Sequence, residues 1–317
     1  MEEIVEKRLG DEATSIYEHF GCFMRSCIFS ILSVGTIPTH IAFIMDGNRR
    51  FAKKMNFLEG AAGHRYGYLA LLNMLKYCYE LGTKYVTVYA FSIDNFKRRP
   101  EEVESTMKLM KEKIEELIKE ESLINLFGIK ILFLGNLQLL SESVKLAAEK
   151  AMAKTAKNSN ATLSICVAYT CTDEIVHSVE ECCKQKKMDK NKNGEINVKD
   201  IERNMYTTIV ANPDIIIRTS GETRLSNFLM WQSENCLLYC PRVLWPEIGF
   251  WQLVWAVLEF QRNFRHLKKE IIRKESSSWR VVLWWKSFMG EKVVKNYIFW
   301  SVGMECCISS YIEKYGV

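Results

Sequence analysis

Several devices common in phosphate- and metal-handling proteins are missing from this 317-residue chain. It has no G-x-G-x-x-G and no G-x-x-x-x-G-K-[ST], which disfavours a dinucleotide or a P-loop nucleotide. No two aspartates are adjacent, so an aspartate-rich helix gathering several magnesium ions is absent. None of the 11 cysteines forms a C-x-x-C pair. Cys182–Cys183 and Cys306–Cys307 are adjacent, which suits neither a disulfide framework nor a tetrahedral zinc site. We read them as reduced thiols in a protein facing the cytosol. The net charge is only +5, with no block of like charge, so no nucleic-acid partner is expected. The acidic start MEEIVEKRLGDEA is not a secretory signal peptide. No internal repeat is visible, and no Pro/Gly/Ser linker precedes Phe264.

What is present is an ordinary globular composition, 48% hydrophobic and 26% charged. Ser26 to Met45 carries no charge over a nominally membrane-spanning length, but Gly35, Pro38 and His40 interrupt it. A short apolar helix around Tyr17 to Ser33 is expected there, lying on a membrane or covering an apolar pocket. Strand-like runs follow at Ile41–Met45, Tyr85–Phe91, Ile129–Leu134, Thr162–Ala168, Asp214–Ile217 and Cys236–Tyr239. Between them lie helical patterns: Tyr68–Tyr79 with Gly82 as a cap, a charged helix opened by Pro100, Ser141–Lys157, Asp173–Lys187 and Phe250–Gln261. This alternation predicts an α/β fold, a single domain with a central, mostly parallel six-stranded sheet flanked by helices. The expected organisation is an N-terminal helical segment over 1–37, one α/β domain over 38–263 and an atypical tail over 264–317. The tail holds Trp279, Trp284, Trp285 and Trp300, and charges interrupt it too often for a membrane span.

Chemistry concentrates where strands end. In HIAFIMDGNRR an apolar run stops at Asp46, then Gly47, Asn48, Arg49 and Arg50. A carboxylate among several donors suits a magnesium ion and the anionic oxygens it holds, and ligands bind at strand carboxyl ends in open α/β sheets. The bland alternative is a polar turn with a surface Asp–Arg pair. FSIDNFKRRPEE places Ser92, Asn95, Arg98 and Glu102 at a second strand end. DIIIRTSGETRLSNFLMW supplies Arg218, Arg224 and Ser226 at a third, enough for a diphosphate cradle. Together the three describe a site for one or two phosphorylated ligands. DKNKNGEINVKD, Asp189 to Asp200, has the spacing of an EF-hand calcium loop. Lys190, Lys192 and the short Asp200 at its last position count against calcium, and a polar turn between helices is the preferred reading.

HIAFIMDGNRRFAKK, GHRYGY, YAFSIDNFKR, RTSGETRLSNFLMW and VLWPE, in this order, resemble the cis-prenyltransferases, the family of undecaprenyl and dehydrodolichyl diphosphate synthases. The spelling is most like that of eukaryotic catalytic subunits, plant enzymes among them. The resemblance implies elongation of an allylic diphosphate, usually farnesyl diphosphate, with isopentenyl diphosphate in cis geometry, giving a long polyprenyl diphosphate for dolichol or a related polyisoprenoid. It implies Mg2+ held by Asp46, and an allylic diphosphate cradled by Gly47, Asn48, Arg49 and Arg50 with His64 beside it. Arg218, Arg224 and Ser226 would hold isopentenyl diphosphate. Ser92, Asn95 and Arg98 would sit near the reacting carbons and assist deprotonation, with Phe96 the aromatic of that loop.

Departures from the family pattern bear on partners. Bacterial members have an arginine before the G-H motif, where this chain reads FLEGAAGH, and a glutamate in the last strand, where it reads CLLY. The C-terminal Arg-x-Gly is missing, since the Arg-x-Gly triplets are Arg8–Gly10 and Arg65–Gly67. A Nogo-B receptor-like partner subunit supplying that triplet, at the cytosolic face of the endoplasmic reticulum membrane, is therefore expected. Two rivals remain. One is a non-catalytic partner subunit of the same fold, which would lack Asp-Gly-Asn and carry Arg-x-Gly. The other is a calcium-binding regulatory module working through 189–200.

Overall fold

The computed structural model describes residues 21–57, 60–119, 123–188, 196–265 and 267. By its internal contacts the chain divides into two units, Met1–Arg262 and Asn263–Val317. Nearly all of the 264–317 tail, and residues 189–195 of the EF-hand-like stretch, lie outside the described residues.

Six strands form one sheet: β1 (His40–Ile44), β2 (Tyr85–Ser92), β3 (Ile129–Leu134), β4 (Ala161–Tyr169), β5 (Ile215–Arg218) and β6 (Leu237–Tyr239). Their order is β3-β4-β2-β1-β5-β6, and every pairing is parallel. All five residues of β1 and all four of β5 are buried, as strands covered on both faces must be. Arg218 is itself the last residue of β5, one position further into the strand than the apolar pattern predicts.

The helices are α1 (residues 21–32), α2 (Asn48–Lys54), α3 (Gly60–Leu81), α4 (Pro100–Leu117), α5 (Leu123–Leu126), α6 (Glu142–Thr155), α7 (Cys171–Met188), α8 (Val198–Arg203) and α9 (residues 250–265). Pro100 occupies the first turn of α4, with Glu101 and Glu102 at its positive end. The described part of the expected 17–33 helix is α1. It packs inward: Phe29 meets the Phe250 ring at 5.4 Å, and Gln261 Nε2 donates to the Leu32 carbonyl at 2.8 Å. Among the described residues no helix is long and apolar enough to cross a membrane.

The sequence pattern assigns no element to NRRFAKK, with a polar turn there only as its bland alternative, whereas Asn48–Lys54 is helical. Its reason is tertiary. Phe51 and Ala52 are buried, and Gly63 and Gly67, one turn apart on α3, let α2 approach closely. A Cβ at Gly63 would collide with the Asn48 carbonyl, and one at Gly67 with the Asn48 amide oxygen. Of the EF-hand-like stretch, the described part has another use. Asn197 caps α8, and Asp200 Oδ2 accepts from the Asn197 N–H at 3.1 Å in a reciprocal capping box.

Candidate active site

β1 connects onward to β2 on one side of the sheet, and β5 to β6 on the other, so the strand order reverses between β1 and β5. A crevice at the carboxyl ends of the strands opens at such a point. Ile44 of β1 stands in register with Arg218 of β5. Two residues beyond β1, Asp46 therefore meets Arg218, and Arg218 Nη2 donates to Asp46 Oδ2 at 2.9 Å. Arg218 is 4% exposed, and its Nη1 donates to Ser226 Oγ at 2.7 Å and to the Arg224 carbonyl. Its Nε is buried without a protein acceptor.

The Asp46 main chain is pinned from three sides. Its carbonyl accepts from Thr219 Oγ at 2.6 Å, from Ser220 Oγ at 3.0 Å and from the Trp245 N–H at 2.9 Å. Trp245 is itself buried, with its indole N–H on the Gly67 carbonyl at 2.8 Å and its ring against Phe43. Gly47 follows at φ 111°, a left-handed conformation that starts α2. The sequence marks Thr219 and Ser220 only as turn residues and Trp245 only as part of a motif. Their fixing of Asp46 needs β1 and β5 to be paired, which no local pattern reveals.

Charge around Asp46 is balanced. Burial pushes its carboxyl up, but Arg218 and then Arg50, at 3.2 Å, more than reverse this, and it stays below the usual carboxylate range. Two glutamates hold the remaining arginines. Glu102 lies 3.0 Å from Arg98 and 3.6 Å from Arg49, while Glu222 lies 2.5 Å from Arg224 and 3.9 Å from Arg50. His64 is held neutral by burial and then by the nearby charges of Arg98 and Arg49.

β2 delivers the third group. Its pairing with β4 is irregular between Tyr89 and Ser92, which re-aims the strand end. Ser92 then caps a short helical turn over Ile93–Lys97, with Asn95 Oδ1 accepting from the Ser92 N–H at 3.1 Å. The loop after β5 is equally special. Ser220, Gly221, Ser226, Asn227 and Leu229 all have positive φ, and Asn227 Oδ1 accepts from the Thr172 N–H at the start of α7. Four of the five are not glycine, and their left-handed backbone stores strain of the kind found at binding sites.

These groups open onto a cavity of about 770 Å³. Asp46, Asn48, Arg49, His64, Ser92, Asn95, Arg98, Arg218, Arg224 and Ser226 all line it, although they come from separate stretches of sequence. Gly47, Arg50 and Phe96 do not line it: Arg50 reaches Asp46 from outside, and the Phe96 ring packs on Phe91 at 5.0 Å. Beyond the charged mouth the walls turn apolar, with Leu71, Val88, Leu109, Ile114, Leu117 and Phe133. Arginines and one ionised carboxylate at the mouth of an apolar cavity fit a ligand with a phosphorylated head and a hydrocarbon tail.

Could the site hold a divalent cation? The Asp46 carboxylate is ionised and pre-positioned, and magnesium typically uses one or two carboxylates with substrate phosphates and waters. The residues fit such an ion. Among the described residues no group of three or more His, Cys, Asp or Glu could bind a metal without a ligand's help.

Comparison with known proteins agrees with the geometry. Residues 44–268 match the Prenyltransf family, described as undecaprenyl diphosphate synthase. The chain is 60% identical to a dehydrodolichyl diphosphate synthase of Solanum lycopersicum over 291 residues, covering 85% of this chain and 99% of the relative. It is 54% identical to a rubber cis-polyprenyltransferase of Hevea brasiliensis over 275 residues, 81% of this chain and 96% of the relative. With a dehydrodolichyl diphosphate synthase complex subunit of Homo sapiens it shares 42% over 241 residues, 76% and 72% of the two chains. Among solved structures, lavandulyl diphosphate synthase from Lavandula x intermedia, in complex with dimethylallyl diphosphate, superposes with a TM-score of 0.66 at 27% identity. The match covers 71% of this chain and 95% of that one. The chain belongs to the undecaprenyl diphosphate synthase family of cis-prenyltransferases, transferases that elongate polyprenyl diphosphates.

Proposed function

We propose that this chain condenses isopentenyl diphosphate onto farnesyl diphosphate in cis geometry, releasing a long-chain polyprenyl diphosphate that feeds dolichol or a related polyisoprenoid. One observation carries this reading: the Asp46–Arg218 pair, fixed by β1–β5 pairing, stands at the mouth of a cavity whose depth is apolar. Asp46, ionised and immobile, would hold Mg2+ against the allylic diphosphate. Bound there, magnesium would supply charge stabilisation to the departing diphosphate.

The chain's own residues do the rest. Asn48 and Arg49, on the first turn of α2, face the cavity and bind the allylic diphosphate, with Gly47 and Arg50 supporting that turn. Arg218, with an unused buried Nε, and Arg224 with Ser226 bind isopentenyl diphosphate. To do so, Arg49 and Arg98 exchange Glu102, and Arg224 exchanges Glu222, for phosphate oxygens. The glutamates thus keep the arginine forks apart and oriented while the site waits. Ser92, Asn95 and Arg98 sit where the proton of the isopentenyl unit must leave. His64, held neutral, adds no charge to the allylic cradle. Two diphosphates fixed side by side supply proximity, and the arginines supply electrostatic stabilisation where charge develops.

We further propose that the chain works as the catalytic half of a heteromer with a Nogo-B receptor-like subunit, on the cytosolic face of the endoplasmic reticulum membrane. The human relative's description as a complex subunit supports this. The experiment is incorporation of labelled isopentenyl diphosphate with farnesyl diphosphate and magnesium, with products sized, for the chain alone and with the partner. Long polyprenyl products, enhanced by the partner, are expected. Absence of prenyl products under both conditions would overturn the catalytic reading, and full activity unchanged by the partner would overturn the heteromer.

A further inference from the structure

Two loops must meet one substrate for the proposed reaction to run. Ser226, on the loop after β5, belongs to the arm assigned to isopentenyl diphosphate. Ser92, at the end of β2, belongs to the group assigned to proton removal. Their strands are not neighbours, since β1 stands between β2 and β5. One side chain touches both loops. Tyr89 of β2 lines the cavity just before Ser92. Its hydroxyl lies 3.1 Å from the Tyr169 carbonyl at the end of β4 and 3.4 Å from the Ser226 carbonyl, and it is hydrogen-bonded to the Ser92 side chain.

The direction of each contact follows from counting donors. A phenol has one proton and two acceptor lone pairs, and a carbonyl can only accept. Burial pushes the Tyr89 pKa well above its ordinary value, so the proton is kept. That proton goes to the two carbonyls, chiefly the closer one of Tyr169, so in the third contact the Ser92 hydroxyl donates. Ser92 Oγ also accepts from the Asp94 N–H at 3.2 Å, and the two bonds together fix how it points. The Tyr89 ring is held as firmly. It stacks on Phe228 with centroids 4.6 Å apart and meets the Tyr169 ring edge-on at 6.1 Å, and both of those rings are buried. On its far side the loop is anchored by Asn227, whose carbonyl accepts from the Cys171 N–H at 2.8 Å. Ser226 sits between these anchors at φ 50°, a conformation that the surroundings must impose on a serine.

We propose that Tyr89 is a positioning residue for the isopentenyl substrate: its hydroxyl ties the Ser226 arm to the Ser92 loop, and so sets the distance between the bound diphosphate and the group at which the proton leaves. This rests on the prenyl-elongation reading above. Tyr89 acts through Ser226 and Ser92. Loss of the hydroxyl leaves the ring packing in place, but it frees the Ser226 backbone and lets the Ser92 hydroxyl turn. The allylic cradle stands on a different element, α2, so the affinity for the allylic diphosphate is kept.

Two experiments on the full-length protein test this, both with Tyr89→Phe, which keeps the stacked ring. The first is steady-state incorporation in the preparation that supports it. The KM for isopentenyl diphosphate is expected to rise roughly 2- to 10-fold, the size of one lost hydrogen bond, while that for farnesyl diphosphate stays as in the wild type. Turnover is expected to fall, and to fall less in a Ser92→Ala background, because part of the hydroxyl's action passes through Ser92. An unchanged KM for isopentenyl diphosphate, equal rises for both substrates, or a turnover loss as large without the Ser92 hydroxyl as with it overturns the proposal. The second experiment needs no turnover, so it still decides if the elongation reading fails for want of prenyl products. Amide hydrogen exchange of the ligand-free protein is expected to quicken several-fold across 224–229 in Tyr89→Phe, while β1 and β5 keep their wild-type rates. Equal exchange across 224–229, or quickening spread over the whole sheet, overturns the proposal.

Discussion

The two ends of β1 carry one titratable group each, six residues apart, and the fold treats them in opposite ways. At the amino end His40 is 3% exposed, with its ring between the Ala211 carbonyl and Thr87 Oγ, and no charged partner offsets its burial. Burial lowers its pKa to about 4, so it is neutral at physiological pH. The nearby Asp214 carboxylate serves the backbone, accepting from the Thr39 and His40 N–H groups at 2.6 and 2.9 Å. Beyond the carboxyl end Asp46 is also partly buried, yet two guanidiniums keep it charged. Desolvation wins where partners are neutral, and loses where arginines converge. The first arrangement holds the sheet together, and the second leaves an ionised group poised beside a cavity.

The sharpest way to break this contrast is Asp46→Asn. The amide keeps the size and one acceptor but removes the charge, and turnover is expected to fall by about 10²–10³, on the order of 3–4 kcal/mol in the transition state. Asn is the better probe than Ala, because Arg218 is buried and deletion of its carboxylate partner would also cost stability. Near-normal turnover in a folded Asp46→Asn protein would remove Asp46 from the chemistry.

Next in size is the acid response of the amino end. The folded pKa of His40, about 4, lies below the ordinary 6.5, so the unfolded chain binds the proton more readily. The stability it contributes is fully present above pH 6.5 and is lost as pH falls through 6.5 towards 4. The loss amounts to about 3 kcal/mol. Urea unfolding across this window should show the slope, and His40→Gln should flatten it. A His40→Gln protein with the wild-type slope would assign the effect to other groups.

Gly63→Ala probes the platform under the site. The new methyl meets the Asn48 backbone, so α2 must shift, at about 2 kcal/mol by analogy with overpacked cores. Both the unfolding midpoint and the KM for the allylic substrate should move. Unchanged thermal stability would show that α2 yields freely.

The smallest expected effect is that of Thr219→Val. Its hydroxyl donates to the Asp46 carbonyl and accepts from the Asp46 N–H at 3.1 Å. Removing it should cost about 1 kcal/mol of stability. It should also lower turnover more than it raises KM, since it loosens Asp46 without touching substrate. Loss confined to KM would place Thr219 outside the support of Asp46.

Much of this was legible in the chain. The six strands are apolar runs of strand length bounded by turn formers, and burial on both faces makes such runs continuous in β1 and β5, so the limits emerge to within a residue or two. The candidate site residues stand out because charge follows those runs abruptly. α2 was not legible: NRRFAKK is too short and too cationic to declare a helix, and it forms one against the glycine face of α3. Nor was Trp245, whose signal is only an aromatic before a proline.

Sequence alone determined the types of most elements, the family and the identity of most charged groups at the site, because these depend on local periodicity and on residue chemistry. Tertiary structure alone decided that Asp46 meets Arg218 across 172 positions, that Thr219, Ser220 and Trp245 pin its backbone, and that the Tyr89 hydroxyl reaches Ser226. Each of these follows from which strands pair and which loops meet at their ends. Strand order is set by the packing of the whole sheet, a non-local outcome that no window of sequence contains.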